Sequence, residues 1–250
     1  MLFNDLREFI AEVERQGEYQ LVKGADWNLE IGAITELAAS SSRSPLLVFD
    51  EIKGYKAGYQ VASNLFTTPK RTALALGLPV EACGLEAVRA FKEREKDGVK
   101  LVPPVEVKRA PLRENIHTGD EVDLYEFPAP KWHELDGGRY IGTGAMTIIR
   151  DPDEGWVNLA AQRIQVHGKN VATIYMAPGR HTAIIRQKYW DRGQNCPVAV
   201  ACGQDPLLWS AATRRIPWGV AEYDFTGGLR GKPVEITPGP ITGSGFSPDA

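Results

Sequence analysis

The sequence predicts an α+β protein in two parts, and three features predict it. Before residue 100, apolar residues recur at helical spacing and alternate with short apolar runs, the pattern of an α/β unit. Residues 101–135 are then broken by Pro103, Pro104, Pro111, Pro128 and Pro130. Beyond them come long strand-like runs joined by short turns, which suggests an antiparallel sheet or barrel.

The elements follow in order. Asn4 or Asp5 can cap a first helix carrying Leu6, Phe9, Ile10 and Val13, and Gly17 stops it. A second helix carries Ile31, Ile34, Leu37 and Ala38 and ends in Ser40–Ser42. Leu46–Phe49 reads as a buried strand, Lys53-Gly54-Tyr55 as a turn and Tyr59–Phe66 as another strand. Thr68-Pro69 opens a helix that ends at Gly77. A charged helix spans Leu85 to about Lys96, with Val88 and Phe91 expected inward. A domain boundary is placed near residue 115, giving units 1–115 and 116–250. Strands are predicted over Tyr140–Arg150, Trp156–Val166 and Val171–Met176, with turns at 151–155 and 167–170. Pro178-Gly179 leads into a helix with Ile184, Ile185 and Tyr189. Pro197–Ala201 is a short strand, and Asp205-Pro206 caps a helix through Ala212. Glu222 reads as a loop residue, and the tail from Pro233 is rich in Pro, Gly and Ser.

Composition narrows the function. A chain of 250 residues that is 43% hydrophobic and 24% charged is an ordinary globular protein. A net charge of −3 gives no footprint for nucleic acid or an anionic membrane. No apolar run approaches the roughly 20 residues of a membrane span, and the N-terminus lacks the pattern of a signal peptide. Cys83, Cys196 and Cys202 are scattered, so free thiols in a reducing cytoplasm are expected.

No Walker loop, GxSxG, HExxH or GxGxxG is present. Gly137, Gly138, Gly142 and Gly144 surround Arg139-Tyr140, a hairpin turn on the plain reading and a phosphate cradle on the functional one. Asn158 and Arg163 lie on one apolar strand. Strict alternation sets them on opposite faces, so one site could use both only across a bulge or around the strand's edge. His181 stands at a helix start, where it is either structural or a ligand. Trp132-His133-Glu134 reads as a loop interaction and a candidate entrance wall. Asn158, His181 and Glu222 together offer O, N and O ligands, which suit Mn²⁺ or Mg²⁺.

A resemblance adds to this reading. Asp5-Leu-Arg-Glu-Phe9, Gly137-Gly-Arg-Tyr-Ile141, Trp156-Val-Asn158 through Gln162-Arg163, Gly168-Lys-Asn170, Pro178-Gly-Arg-His181, Val220-Ala-Glu-Tyr223 and Leu229-Arg-Gly-Lys-Pro-Val234 occur in an order that resembles the UbiD family of non-oxidative decarboxylases. The resemblance runs along essentially the whole chain. It implies a flavin-binding split β-barrel-like second domain. It further implies reversible decarboxylation of an aromatic or α,β-unsaturated carboxylic acid with prenylated FMN. On the matching positions it implies metal ligands at Asn158, His181 and Glu222, holding Mn²⁺ (or Mg²⁺) on the cofactor phosphate. A K⁺ would lie against backbone carbonyls of Ala211 to Arg214. Flavin contacts would come from Ala161, Gln162, Arg163, Tyr175, Met176, Ala177, Arg180 and His181, with Arg163 also gripping the substrate carboxylate. A flavin prenyltransferase would supply the cofactor, and the full-length protein would be a homo-oligomer.

The family's catalytic acids belong to a segment resembling E-I-V-x-E-G, and Phe246-Ser-Pro-Asp-Ala250 looks like its approach. The expectation is therefore an N-terminal portion of a longer decarboxylase, inactive in isolation. The alternatives are a non-catalytic flavin- or phosphate-binding module, a subunit completed by another chain, or an FMN reductase on a split barrel.

Overall fold

A computed structural model describes residues 2–81, 84–108, 110–239, 242 and 245–246. Helix α1 (Leu6–Arg15) starts where Asp5 accepts a hydrogen bond from the Glu8 N–H at 2.8 Å. Then come β1 (Tyr19–Lys23), α2 (Glu30–Ala39), β2 (Leu46–Asp50), β3 (Val61–Ser63), α3 (Pro69–Ala75) and α4 (Leu85–Glu95). The first sheet runs β1-β2-β3, with β1 parallel and β3 antiparallel to β2. Central β2 is buried on both faces, which is why it reads as a continuous apolar run. Leu46 and Val48 pack with Phe3, Phe9, Val13 and Leu74, while Leu47 and Phe49 pack with Ala25, Ile31 and Ile52.

Three expectations for this unit need correction. Strand β1 was not foreseen: it is a sheet edge whose residues are half or fully exposed, so it carries little apolar signal. The strand expected over Tyr59–Phe66 shrinks to Val61–Ser63, because Asn64 takes a left-handed φ of 57° and ends the pairing. Val88 is 50% exposed rather than inward. Helix α4 is instead tied down by Arg94, which donates to the carbonyls of Leu76 and Leu229.

The proline-punctuated stretch contains β4 (Val105–Glu106) and three short 3-10 turns at 111–113, 119–121 and 124–126. The second unit continues with β5 (Arg139–Arg150), β6 (Val157–Gly168), β7 (Val171–Ile174), α5 (His181–Trp190), β8 (Val198–Ala201), α6 (Pro206–Ala212), α7 (Glu222–Arg230), β9 (Glu235–Pro238) and β10 (Gly245–Phe246). Its main sheet has the order β7-β6-β5-β8, entirely antiparallel, and curls as an open half-barrel. Met146, Ile148, Leu159, Ala199 and Ala201 pack against Leu208 of α6 and Tyr223 of α7. A smaller sheet pairs β4, β9 and β10.

The four glycines do not form a hairpin turn. Gly137 and Gly138 lie in the loop before β5, and Gly142 and Gly144 lie within it, where the register against β6 shifts twice. A Cβ at Gly142 would come within 2.6 Å of the Ala145 Cβ, so the bulge requires glycine. Cys196 and Cys202 are free thiols, while Cys83 and residues 247–250, which the sequence reading also used, lie outside the described residues. Among the described residues no helix is long and apolar enough to cross a membrane.

Candidate active site

Strand β7 covers only the far end of β6, pairing from Ile164 to Gly168. On the side away from β5, the stretch 157–163 therefore has no strand partner among the described residues. Glu222 fills that edge. Its carboxylate accepts from the Leu159 N–H at 2.7 Å and from the Asn158 amide at 2.9 Å. The sequence reading put Glu222 in a loop, but it is the first residue of α7. A helix N-terminus favours the ionised form of a carboxyl placed there.

This pair is deeply buried. Glu222 is 2% and Asn158 3% exposed. Burial pushes the Glu222 carboxyl up to about 8, only partly opposed by the hydrogen bonds from Leu159, its own N–H and Asn158. The Asn158 Oδ1 is buried without a hydrogen-bond partner among the described residues, and so is the indole Nε1 of Trp156. An orphaned acceptor and an orphaned donor, two residues apart, suit a guest that carries both charges, such as a cation held on an anion.

His181 is the first residue of α5 and is joined to this edge through side chains. The neighbouring Thr182 Oγ1 accepts from the Gln162 amide at 2.9 Å, and Thr147 donates to the Gln162 Oε1 at 3.0 Å. The imidazole lies edge-on to Trp156 at 5.7 Å and to Trp218 at 5.1 Å between ring centroids. Burial and the Arg180 charge hold its pKa below the usual histidine value, which favours the neutral ring that ligates metals. The structure joins Asn158 and Glu222 directly, while His181 contacts Trp156, two residues before Asn158 on the chain. No trio of His, Cys, Asp or Glu among the described residues forms a metal cluster by itself. An O, N, O donor set would therefore need the Asn158 amide oxygen, and such a set fits a hard or borderline divalent ion.

The other predicted residues flank this edge. Ala161, Gln162 and Arg163 follow Asn158 along β6, and Tyr175, Met176, Ala177 and Arg180 lie in the loop from β7 to α5. Exposed Arg163 lines a shallow cleft of about 140 Å³ with Tyr140, Gln165, Thr173 and Tyr175. It stands where the register changes from Ala145↔Gln162 to Gly142↔Ile164, so the irregularity lies on β5 and not between Asn158 and Arg163. One site could use both only through a ligand that wraps the strand's uncovered edge. Ala211 and Ala212 end α6, Thr213 caps it and Arg214 follows. His133 lies away from this edge, 2.8 Å from Glu36.

Sequence reasoning did not single out Trp218, Thr182 or Thr147. Trp218 lies four residues before Glu222, and its ring contact with His181, on a distant part of the chain, is visible only in the folded structure.

Comparison with known proteins supplies the family. The 3-octaprenyl-4-hydroxybenzoate carboxy-lyase Rift-related domain matches residues 104–244, and the N-terminal domain of the same carboxy-lyases matches residues 10–91. A pyrrole-2-carboxylic acid decarboxylase from Pseudomonas aeruginosa is 32% identical over 240 residues, covering 93% of this chain and 48% of that protein. A phenolic acid decarboxylase from Streptomyces sp. (strain D7) is 33% identical over 253 residues, covering 97% of this chain and 52% of that protein. The closed form of vanillic acid decarboxylase from Sedimentibacter hydroxybenzoicus superposes with a TM-score of 0.91 at 28% identity, over 100% of this chain and 53% of that one. The UbiD-class enzyme HmfF from Pelotomaculum thermopropionicum in complex with FMN gives a TM-score of 0.85 at 28% identity, over 98% of this chain and 53% of that one. The chain thus spans about half the length of the relatives it matches. It belongs to the UbiD family of carboxy-lyases.

Proposed function

We propose that this UbiD-family chain supplies the flavin- and metal-binding part of a prenylated-FMN-dependent decarboxylase. The substrate class is an aromatic or α,β-unsaturated carboxylic acid, and the reaction is reversible. The observation that carries the reading is the buried Glu222–Asn158 pair on an uncovered strand edge, with the Asn158 Oδ1 left unpartnered. The decarboxylases of pyrrole-2-carboxylic and phenolic acids among the relatives support the aromatic choice.

Each residue has a physical task. Asn158, His181 and Glu222 would hold Mn²⁺ or Mg²⁺ on the cofactor phosphate, so that neither the carboxylate nor the phosphate is buried uncompensated. Carbonyls of Ala211 to Arg214 would hold a K⁺ beside them. Gln162, fixed between Thr147 and Thr182, keeps the β6 edge and α5 at constant separation. Ala161, Tyr175, Met176, Ala177 and Arg180 would wall the flavin. Arg163 would grip the substrate carboxylate with two donors in a fixed plane and orient the carbon that loses CO₂. The bound cofactor supplies the electron sink that the protein's own side chains lack. The proton donor would come from a segment resembling E-I-V-x-E-G in the full-length protein. Residues 1–115 would form one domain, and 116 onward the flavin-binding one. The whole enzyme would be a cytoplasmic homo-oligomer served by a flavin prenyltransferase.

The test is CO₂ release by the full-length enzyme, produced together with a flavin prenyltransferase, from a panel of pyrrole, phenolic and cinnamic acids. Turnover of at least one acid is expected, lost in Arg163→Ala with flavin still bound. Flavin-loaded enzyme that releases no CO₂ from any of them, and exchanges none back, would overturn the reading.

A further inference from the structure

We propose that Trp218 is a positioning residue for the His181 imidazole, acting with Trp156 as two walls of an aromatic slot. The inference rests on the reading of His181 as a metal ligand. A ligating histidine is ordinarily oriented by a hydrogen bond from its second ring nitrogen to a carboxylate or carbonyl. His181 makes no such bond among the described residues. Its ring instead meets Trp156 and Trp218 edge to face, at interplanar angles of 86° to each. The two indoles also touch each other, with centroids 5.1 Å apart at 78°. Two ring contacts at near-perpendicular angles restrict rotation of the imidazole without engaging either nitrogen in a hydrogen bond among the described residues.

Trp218 is itself anchored. Its indole N–H donates to Glu154 Oε1 at 3.1 Å. The ammonium of Lys188 lies 4.9 Å from its ring centroid. Lys188 is in turn held by Asp151 at 2.6 Å and Asp153 at 3.1 Å, so the β5–β6 turn and α5 fix the wall from both sides. Trp218 is 38% exposed, so this network, rather than deep burial, places the ring.

The test is an electron paramagnetic resonance titration of Mn²⁺ into the full-length protein with saturating FMN, compared across Trp218→Ala, Trp218→Phe, Trp218→Leu and His181→Ala. Thermal unfolding checks that each variant is folded. Trp218→Ala is expected to weaken Mn²⁺ about 10-fold or more, the scale of losing an orienting partner. Trp218→Phe, which keeps an aromatic face, recovers most of that loss, and Trp218→Leu does not. If Trp218→Ala binds like the wild type while His181→Ala does not, the slot is overturned and the metal assignment stands. Equal recovery by leucine would reduce Trp218 to a space filler and also overturn the proposal. Wild-type affinity in His181→Ala would remove the metal assignment itself, and the slot with it.

Discussion

Arg71 in the first unit and Glu222 in the second are almost equally buried, at 1% and 2% exposed, yet their surroundings differ in kind. Arg71 is satisfied on every nitrogen. It donates to Glu18, to the carbonyls of Leu65, Ser44 and Asn64, and to the Thr67 hydroxyl. Two of those carbonyls belong to residues with left-handed backbone, Ser44 and Asn64, so the guanidinium ties down turns that would otherwise cost free energy. Glu222 has only neutral donors, and no cation pairs with it among the described residues; its carboxyl is pushed upward, and Asn158 beside it keeps a buried oxygen unpartnered. A complete set of partners marks a structural lock. An incomplete set, at an edge that the sheet leaves open, is what the proposed metal site rests on.

The contrast can be broken from either side. Arg71→Met should cost the most stability, about 3–5 kcal/mol, because the carbonyls of Leu65, Ser44 and Asn64 lose their guanidinium donor, although Glu18 keeps its ion pair with Lys70. Urea unfolding would show it, and flavin content per folded molecule should not change. At the other region Asn158→Asp should destabilise the metal-free protein by setting a second carboxylate against Glu222. Added Mn²⁺ should restore its melting temperature to the wild-type range, and a melting temperature indifferent to Mn²⁺ would remove the guest. A smaller loss, about 1–3 kcal/mol by overpacking, is expected for Gly32→Ala, whose Cβ would run into the Trp132 carbonyl. The smallest effect concerns acid. Burial raises the Asp151 pKa, but hydrogen bonds from Lys188 and the N–H groups of Glu154 and Asp153 outweigh it and bring it below 3.8. The folded-state value is depressed, so Asp151 contributes stability above about pH 4 that is lost as pH falls through the lowered value. Asp151→Asn should flatten that acid limb of the stability curve, and an unchanged limb would count against the network.

The same contrast explains what could be read from the sequence. Helices α1 and α3 carry their own side-chain caps, and α2, strand β2 and the β5–β6–β7 run carry apolar spacing or turns, so local chemistry announces them. Helix α7 does not. Its Gly227 and Gly228 look like helix breakers, but a Cβ at either would strike the backbone of Val102 or Lys100, which pack against it. They are glycine because of a tertiary contact some 125 residues away in the chain. Edge strand β1 was missed for want of buried residues, and Val88 was misplaced because helical spacing does not say what a helix rests on. Asn158, His181 and Glu222 lie on three separate elements. Their residue types suggested a metal, but the uncovered edge beside Asn158 and the contacts of His181 with Trp156 and Trp218 emerge only from the packing.

The most direct test of the central claim is pulsed electron paramagnetic resonance of Mn²⁺ in the full-length, FMN-loaded protein. The account predicts a nitrogen coupling from one imidazole, absent in His181→Ala, together with loss of Mn²⁺ binding in Glu222→Gln. Bound Mn²⁺ with no nitrogen coupling, or with a coupling unchanged in His181→Ala, would contradict it.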